Sequence, residues 1–145
     1  MARVHDVVAY ILKKKGRMTA MKMQKLAYYC QAWSLVWDER PLFASRIEAW
    51  ANGPVIPELY KRHRGEYWIV DWDGDPSALS RKERETVDAV LKFYGDKTSH
   101  WLSILTHRER PWLDARQGLD PSERSGAEIT LASMAEYYGG LAVST

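Results

Sequence analysis

Residues 21–37 read MKMQKLAYYCQAWSLVW. Wound as a helix, this stretch carries two apolar stripes. Met23, Leu26, Ala27, Cys30, Trp33 and Trp37 form one, and Tyr28, Tyr29, Ala32, Leu35 and Val36 form the other. A helix that is apolar on most of its circumference has to be covered on most sides. The segment 20–37 is therefore expected to be the central helix of the fold, with Thr19 as its N-cap. Lys22, Gln24, Lys25 and Gln31 are the polar interruptions. Gln24 and Lys25 lie beside the aromatic stripe, so a half-buried position is expected for one or both.

Outward from this helix the punctuation is regular. Val4, Val7, Val8, Ile11 and Leu12 give residues 3–15 one apolar face, Lys13 to Lys15 suit the last turn, and Gly16 is a stop. On the other side, residues 46–51 alternate loosely and predict a short strand. Asn52-Gly53-Pro54 then turns the chain, since glycine takes positive φ and proline fixes its own φ. Pro57 suits the first turn of a short helix over 57–64. EYWIVDW at 66–72 is aromatic and β-branched and predicts a second short strand. Ser80 with Glu83 forms a capping box for a helix over 81–94, closed by Gly95. A helix capped by Thr98 or Ser99 extends to about residue 106, and a helical turn is expected at 111–117. Ser125 with Glu128 reads as a second capping box, opening a last helix that Gly139 and Gly140 end. The fold expected is α+β and mainly α: one compact helical domain over residues 1–145, built around the central apolar helix, with a small antiparallel β element in the middle of the chain.

Composition bounds the function. The chain has 145 residues and a formal net charge of +2, too weak a basic excess for a dedicated nucleic-acid binder. The lone Cys30 allows no internal disulfide. The N-terminal stretch lacks the order of an export signal, and no apolar run spans a bilayer. A cytoplasmic, non-membrane protein is expected. Seven Trp and eight Tyr against two Phe favour half-buried packing and protein interfaces.

Chemical motifs are sparse. Asp71, Asp73 and Asp75 resemble the start of a calcium loop, but the sixth and twelfth positions hold Pro76 and Lys82 instead of Gly and Glu. His100 and His107 share a helical face without a third metal ligand. Cys30 sits among apolar neighbours as a small hydrophobe. Thr106, His107 and Glu109 place a hydroxyl, a base and a carboxylate close in sequence, but capping of backbone groups is the simpler use. No metal site, cofactor site or catalytic residue is expected, and the chain is not expected to be an enzyme. Lys61, Arg62, His63 and Arg64 form a basic cluster behind Tyr60. They support an alternative reading as a small nucleic-acid-binding regulator, although flanking acids and the weak net charge disfavour it.

Three stretches in fixed order carry a resemblance. LAYYCQAWSLVWDERPLF (26–43), EAWANGPVIPELYKRHRG (48–65) and LSILTHRERPW (102–112) resemble the SocA-like antitoxin family, also called the Panacea domain, which includes phage-associated GepA-like proteins. The signature falls on Met23, Lys25, Leu26, Tyr28 and Tyr29, then on Ala49, Trp50, Gly53, Pro54 and Val55, then on Thr106, His107, Glu109, Pro111 and Trp112. Met23 replaces the usual leucine. The resemblance implies a non-enzymatic antitoxin that neutralises a cognate toxin encoded nearby through direct contact. It also implies, for one branch, proteolytic adaptors that deliver the toxin to a ClpXP-type protease. The signature residues are candidates for the partner surface. Their alternative role is purely structural, with the Gly53-Pro54 corner as a brace that orients Trp50.

Overall fold

The computed structural model describes residues 1–144. In chain order the elements are α1 (Val4–Lys15), β1 (Met18–Thr19), α2 (Ala20–Trp37), β2 (Glu48–Trp50), β3 (Gly53–Val55), α3 (Pro57–His63), β4 (Trp68–Ile69), a 3-10 turn (Pro76–Ala78), α4 (Arg81–Tyr94), α5 (Ser99–Arg108), α6 (Arg110–Ala115) and α7 (Leu131–Ser144). The fold is mainly α with a few short strands, as the sequence predicts.

α2 is the centre. It packs chiefly against α7 and α4, with α1, α5 and β3 around it. Both of its stripes contribute to the core: Met23, Leu26, Ala27, Tyr28, Tyr29, Cys30 and Ala32 are all buried. Its N-cap is Thr19, whose hydroxyl accepts from Lys22 N–H. The polar interruptions are more deeply placed than expected, since Gln24, Lys25 and Gln31 are fully buried. Each holds a loop by its backbone. Gln24 Oε1 accepts from Ile56 N–H at 2.8 Å and its Nε2 donates to Ile56 O at 3.2 Å. Gln31 Oε1 accepts from Leu42 N–H at 2.8 Å while its Nε2 donates to Phe43 O, also at 2.8 Å. Buried amides of this kind satisfy loop groups that would otherwise lie unpaired against apolar walls.

The β element is two separate antiparallel pairs. β2 and β3 form a hairpin with Glu48 opposite Val55 and Trp50 opposite Gly53, so the Asn-Gly-Pro corner is its tip and returning strand. β1 pairs with β4 through Met18 opposite Ile69 and Thr19 opposite Trp68. The strand expected over 66–72 shrinks to these two residues, and where β1 gives way to α2 the Ala20 N–H donates to Tyr67 O at 2.9 Å.

Two expectations at the C-terminal end are corrected. Ser125 and Glu128 do not form a capping box. The Ser125 hydroxyl accepts from Ala127 N–H, and Glu128 bridges to Glu48 of β2. Ala49 N–H donates to Ala127 O at 2.8 Å and Ile129 N–H to Ile47 O at 2.9 Å, so residues 127–129 lie along the free edge of the hairpin. The true cap is Thr130, whose hydroxyl accepts from Ser133 N–H. Gly139 and Gly140 do not end α7, which runs on to Ser144. Interior glycine costs a helix about 1 kcal/mol each, and burial of Met134 and Tyr138 against the core offsets that.

Candidate functional site

The hairpin tip is gripped from three helices. Arg116, just after α6, donates from Nη1 to Ala49 O at 2.9 Å. Trp112 of α6 donates from Nε1 to Trp50 O at 2.8 Å. His107 of α5 places Nε2 2.9 Å from Ala51 O. Lys25 of α2 donates from Nζ to Asn52 O at 3.0 Å. Four consecutive carbonyls are thus held by four side chains that lie far from them in sequence. A two-stranded hairpin is marginal alone, and Pro54 opposite Ala49 has no N–H to give the ladder. The side chains replace what the ladder lacks.

Gly53 is required at this corner. Its φ is +119°, a region side chains rarely adopt. A Cβ there would stand 3.1 Å from Lys25 Cε, 3.2 Å from Lys25 Nζ and 3.3 Å from Thr106 Oγ1. Lys25 therefore reaches Asn52 through space that only a glycine leaves open. Its ammonium has no carboxylate at ion-pairing distance among the described residues, and burial lowers its pKa to about 8.

A second cluster lies beneath the clamp. Glu109, at the join of α5 and α6, is buried, and its Oε1 accepts from Tyr29 and Tyr138, each at 2.7 Å. The Tyr28 and Tyr138 hydroxyls are 3.0 Å apart, and Tyr29 stacks on Tyr94 with centroids 4.2 Å apart. Burial raises the Glu109 pKa to about 6, against the opposing effect of the two tyrosine hydrogen bonds.

The structure therefore brings Lys25, Trp50, Gly53, Thr106, His107 and Trp112 together at the hairpin, with Pro54, Val55 and Pro111 buried behind. It gathers Tyr28, Tyr29 and Glu109 in the tyrosine cluster. Of these twelve positions only Trp50 and His107 are half-buried, and the other ten are buried. His107 and Glu109 do not form an acid–base pair, because each is committed to different partners. Cys30 is fully buried and its thiol pKa is raised by desolvation. Among the described residues no group of three His, Cys, Asp or Glu is placed to hold a metal, and no helix is long and apolar enough to cross a membrane.

The basic cluster loses one member to the interior. His63 is buried beside Gln24, at 2.9 Å between Nε2 atoms, and Arg62 donates to Asp73 O at 2.7 Å while lying over Trp72. Lys61, Arg62 and Arg64 remain exposed. Sequence reasoning missed Arg116, whose Nη2 also donates to Asp120 O at 2.9 Å and to Glu123 O. Nothing in its local sequence separates it from the exposed arginines nearby.

Beside the tip runs an open groove of about 720 Å3, lined by Glu48, Trp50, Asn52, Tyr60, Arg64 and Arg124, among others. The comparisons with known proteins give one result. A family model described as antitoxin SocA-like, Panacea domain, matches residues 23–113, a span containing every clamp residue except Arg116. No curated protein and no solved structure matches the chain.

Proposed function

Since this chain belongs to the SocA-like antitoxin, Panacea domain family, we propose that it is the antitoxin of a toxin–antitoxin pair. It binds a toxin encoded nearby through direct protein contact and catalyses no reaction itself. The clamped hairpin carries this reading. Its carbonyls are fixed by Arg116, Trp112, His107 and Lys25, while exposed Asn52 and half-buried Trp50 face outward beside the groove. A surface whose backbone is already ordered loses little entropy when a partner docks. The buried signature residues serve as the brace, and half-buried Trp50 with the exposed side chains flanking it makes the contact.

The proposal takes residues 1–145 as one unit acting in the cytoplasm, and it includes two fates for the bound toxin. The toxin is blocked in place, or it is handed to a ClpXP-type protease. Nucleic acid is not proposed as the partner, because the net charge is only +2 and, with His63 buried, the cluster keeps three exposed cations flanked by exposed Glu58 and Glu66.

The test is co-expression of the adjacent open reading frame. That frame should be clonable only when this chain is present, and the two should co-purify through high salt. Free growth with the frame expressed alone would overturn the reading. Toxin half-life with and without the protease separates blocking from delivery.

A further inference from the structure

The groove beside the hairpin tip has a composition its structural role does not need. Arg64, at the end of α3, and Arg124, in the loop after α6, both line it. Both are exposed, and among the described residues neither makes an ion pair or side-chain hydrogen bond. The nearest carboxylate in the wall, Glu48, is already occupied. Its Oε2 accepts from Arg46 Nε at 2.9 Å and its Oε1 from Trp50 Nε1 at 2.8 Å. In the same groove, Trp50 meets the ring of Tyr60 edge to face, with centroids 4.8 Å apart. The lining thus combines an aromatic pair with two free guanidinium groups.

We infer that this groove receives an acidic segment of the partner protein, with carboxylates on Arg64 and Arg124 and an intervening apolar side chain on Trp50 and Tyr60. Guanidinium groups pair with carboxylates in bidentate fashion, and tryptophan, tyrosine and arginine are the residue types that dominate binding hot spots. The chain's net charge of only +2 opposes a polyphosphate occupant. The inference rests on the antitoxin reading for the identity of the partner but not for the chemistry of the groove.

The probe is a short blocked peptide alternating glutamate and leucine, titrated by calorimetry. Its controls are the glutamine counterpart and a single-stranded oligonucleotide of equal charge. The acidic peptide should bind the full chain, and the surface double variant Arg64→Glu with Arg124→Glu should weaken it by about tenfold or more. The glutamine peptide should not bind. Failure of the acidic peptide to bind, equal binding to the double variant, or tighter binding of the oligonucleotide each overturns the inference. In cells, a double variant that still neutralises the adjacent toxin fully removes the groove from the contact and leaves the antitoxin reading standing. An adjacent frame that proves harmless, alongside peptide binding lost in the double variant, removes the antitoxin reading and leaves the groove.

Discussion

Lys25 Nζ lies 3.0 Å from the carbonyl oxygen of Asn52, and this single acceptor fixes a fully buried ammonium to the outermost residue of the hairpin. Burial disfavours the charged form, and the lysine titrates at about 8 in the folded chain. A group whose folded pKa lies below its unfolded value binds fewer protons when folded, so stability rises with pH between the two values.

Relative to Lys25→Met, the wild type should accordingly gain about 1.5 kcal/mol from about pH 8 to pH 9.5, roughly half of the ~3 kcal/mol that ~2.5 pKa units represent. Deprotonation in the unfolded state of Cys30 and of tyrosines such as Tyr28 and Tyr29, all pushed up by burial, opposes this gain in the same range, so the variant is the reference. Urea denaturation against pH measures this. Lys25→Met should lack this term, and a wild-type profile that runs parallel to that of the variant from pH 8 to 9.5 contradicts the assignment.

Glu109 works in the opposite direction. Its pKa is raised to about 6 by burial, so its contribution is complete below the ordinary carboxylate range and is lost as pH climbs through 6. The cost at pH 8 is about 2 kcal/mol. Glu109→Gln keeps an oxygen for Tyr29 and Tyr138. It should be more stable than wild type at pH 8 and nearly equal to it at pH 4, as read from paired thermal melts.

Gly53→Val forces a β-branched residue to a φ of +119° and drives it toward Lys25 and Thr106. A loss of about 2–3 kcal/mol is expected. Hydrogen exchange at the hairpin amides should rise with it, and toxin binding should weaken even under conditions where the variant remains folded. Wild-type stability together with wild-type binding would remove the brace from the account.

Arg116→Met keeps the apolar stem but removes the donors to Ala49, Asp120 and Glu123. Leaving the buried Ala49 carbonyl without this donor costs about 1–3 kcal/mol. The loop over 117–126 loses its anchor, so limited proteolysis should cut there in the variant well before wild type.

Helix spacing and capping residues carried most of the fold. Thr19, Ser80 and Thr98 cap the helices the sequence assigns to them, because capping is a local contest between one side chain and a few N–H groups. Ser125 and Glu128 satisfied the same local rule and failed, since residues 127–129 found the hairpin edge at Ile47 and Ala49 instead. That partner is about 80 positions away and leaves no trace in the local pattern. The β1–β4 pair was invisible for the same reason. The site was half legible. The signature marked the residues that gather at the tip, but not that Lys25, His107 and Trp112 each hold a successive carbonyl, and not Arg116 at all.

Cys30, the one thiol in the chain, sits with no accessible surface in the middle of α2. A small thiol-reactive dye can reach it only when the centre of the molecule opens. Labelling kinetics without denaturant would report that opening directly, and a bound partner that seals the fold should slow the reaction without touching the sulfur.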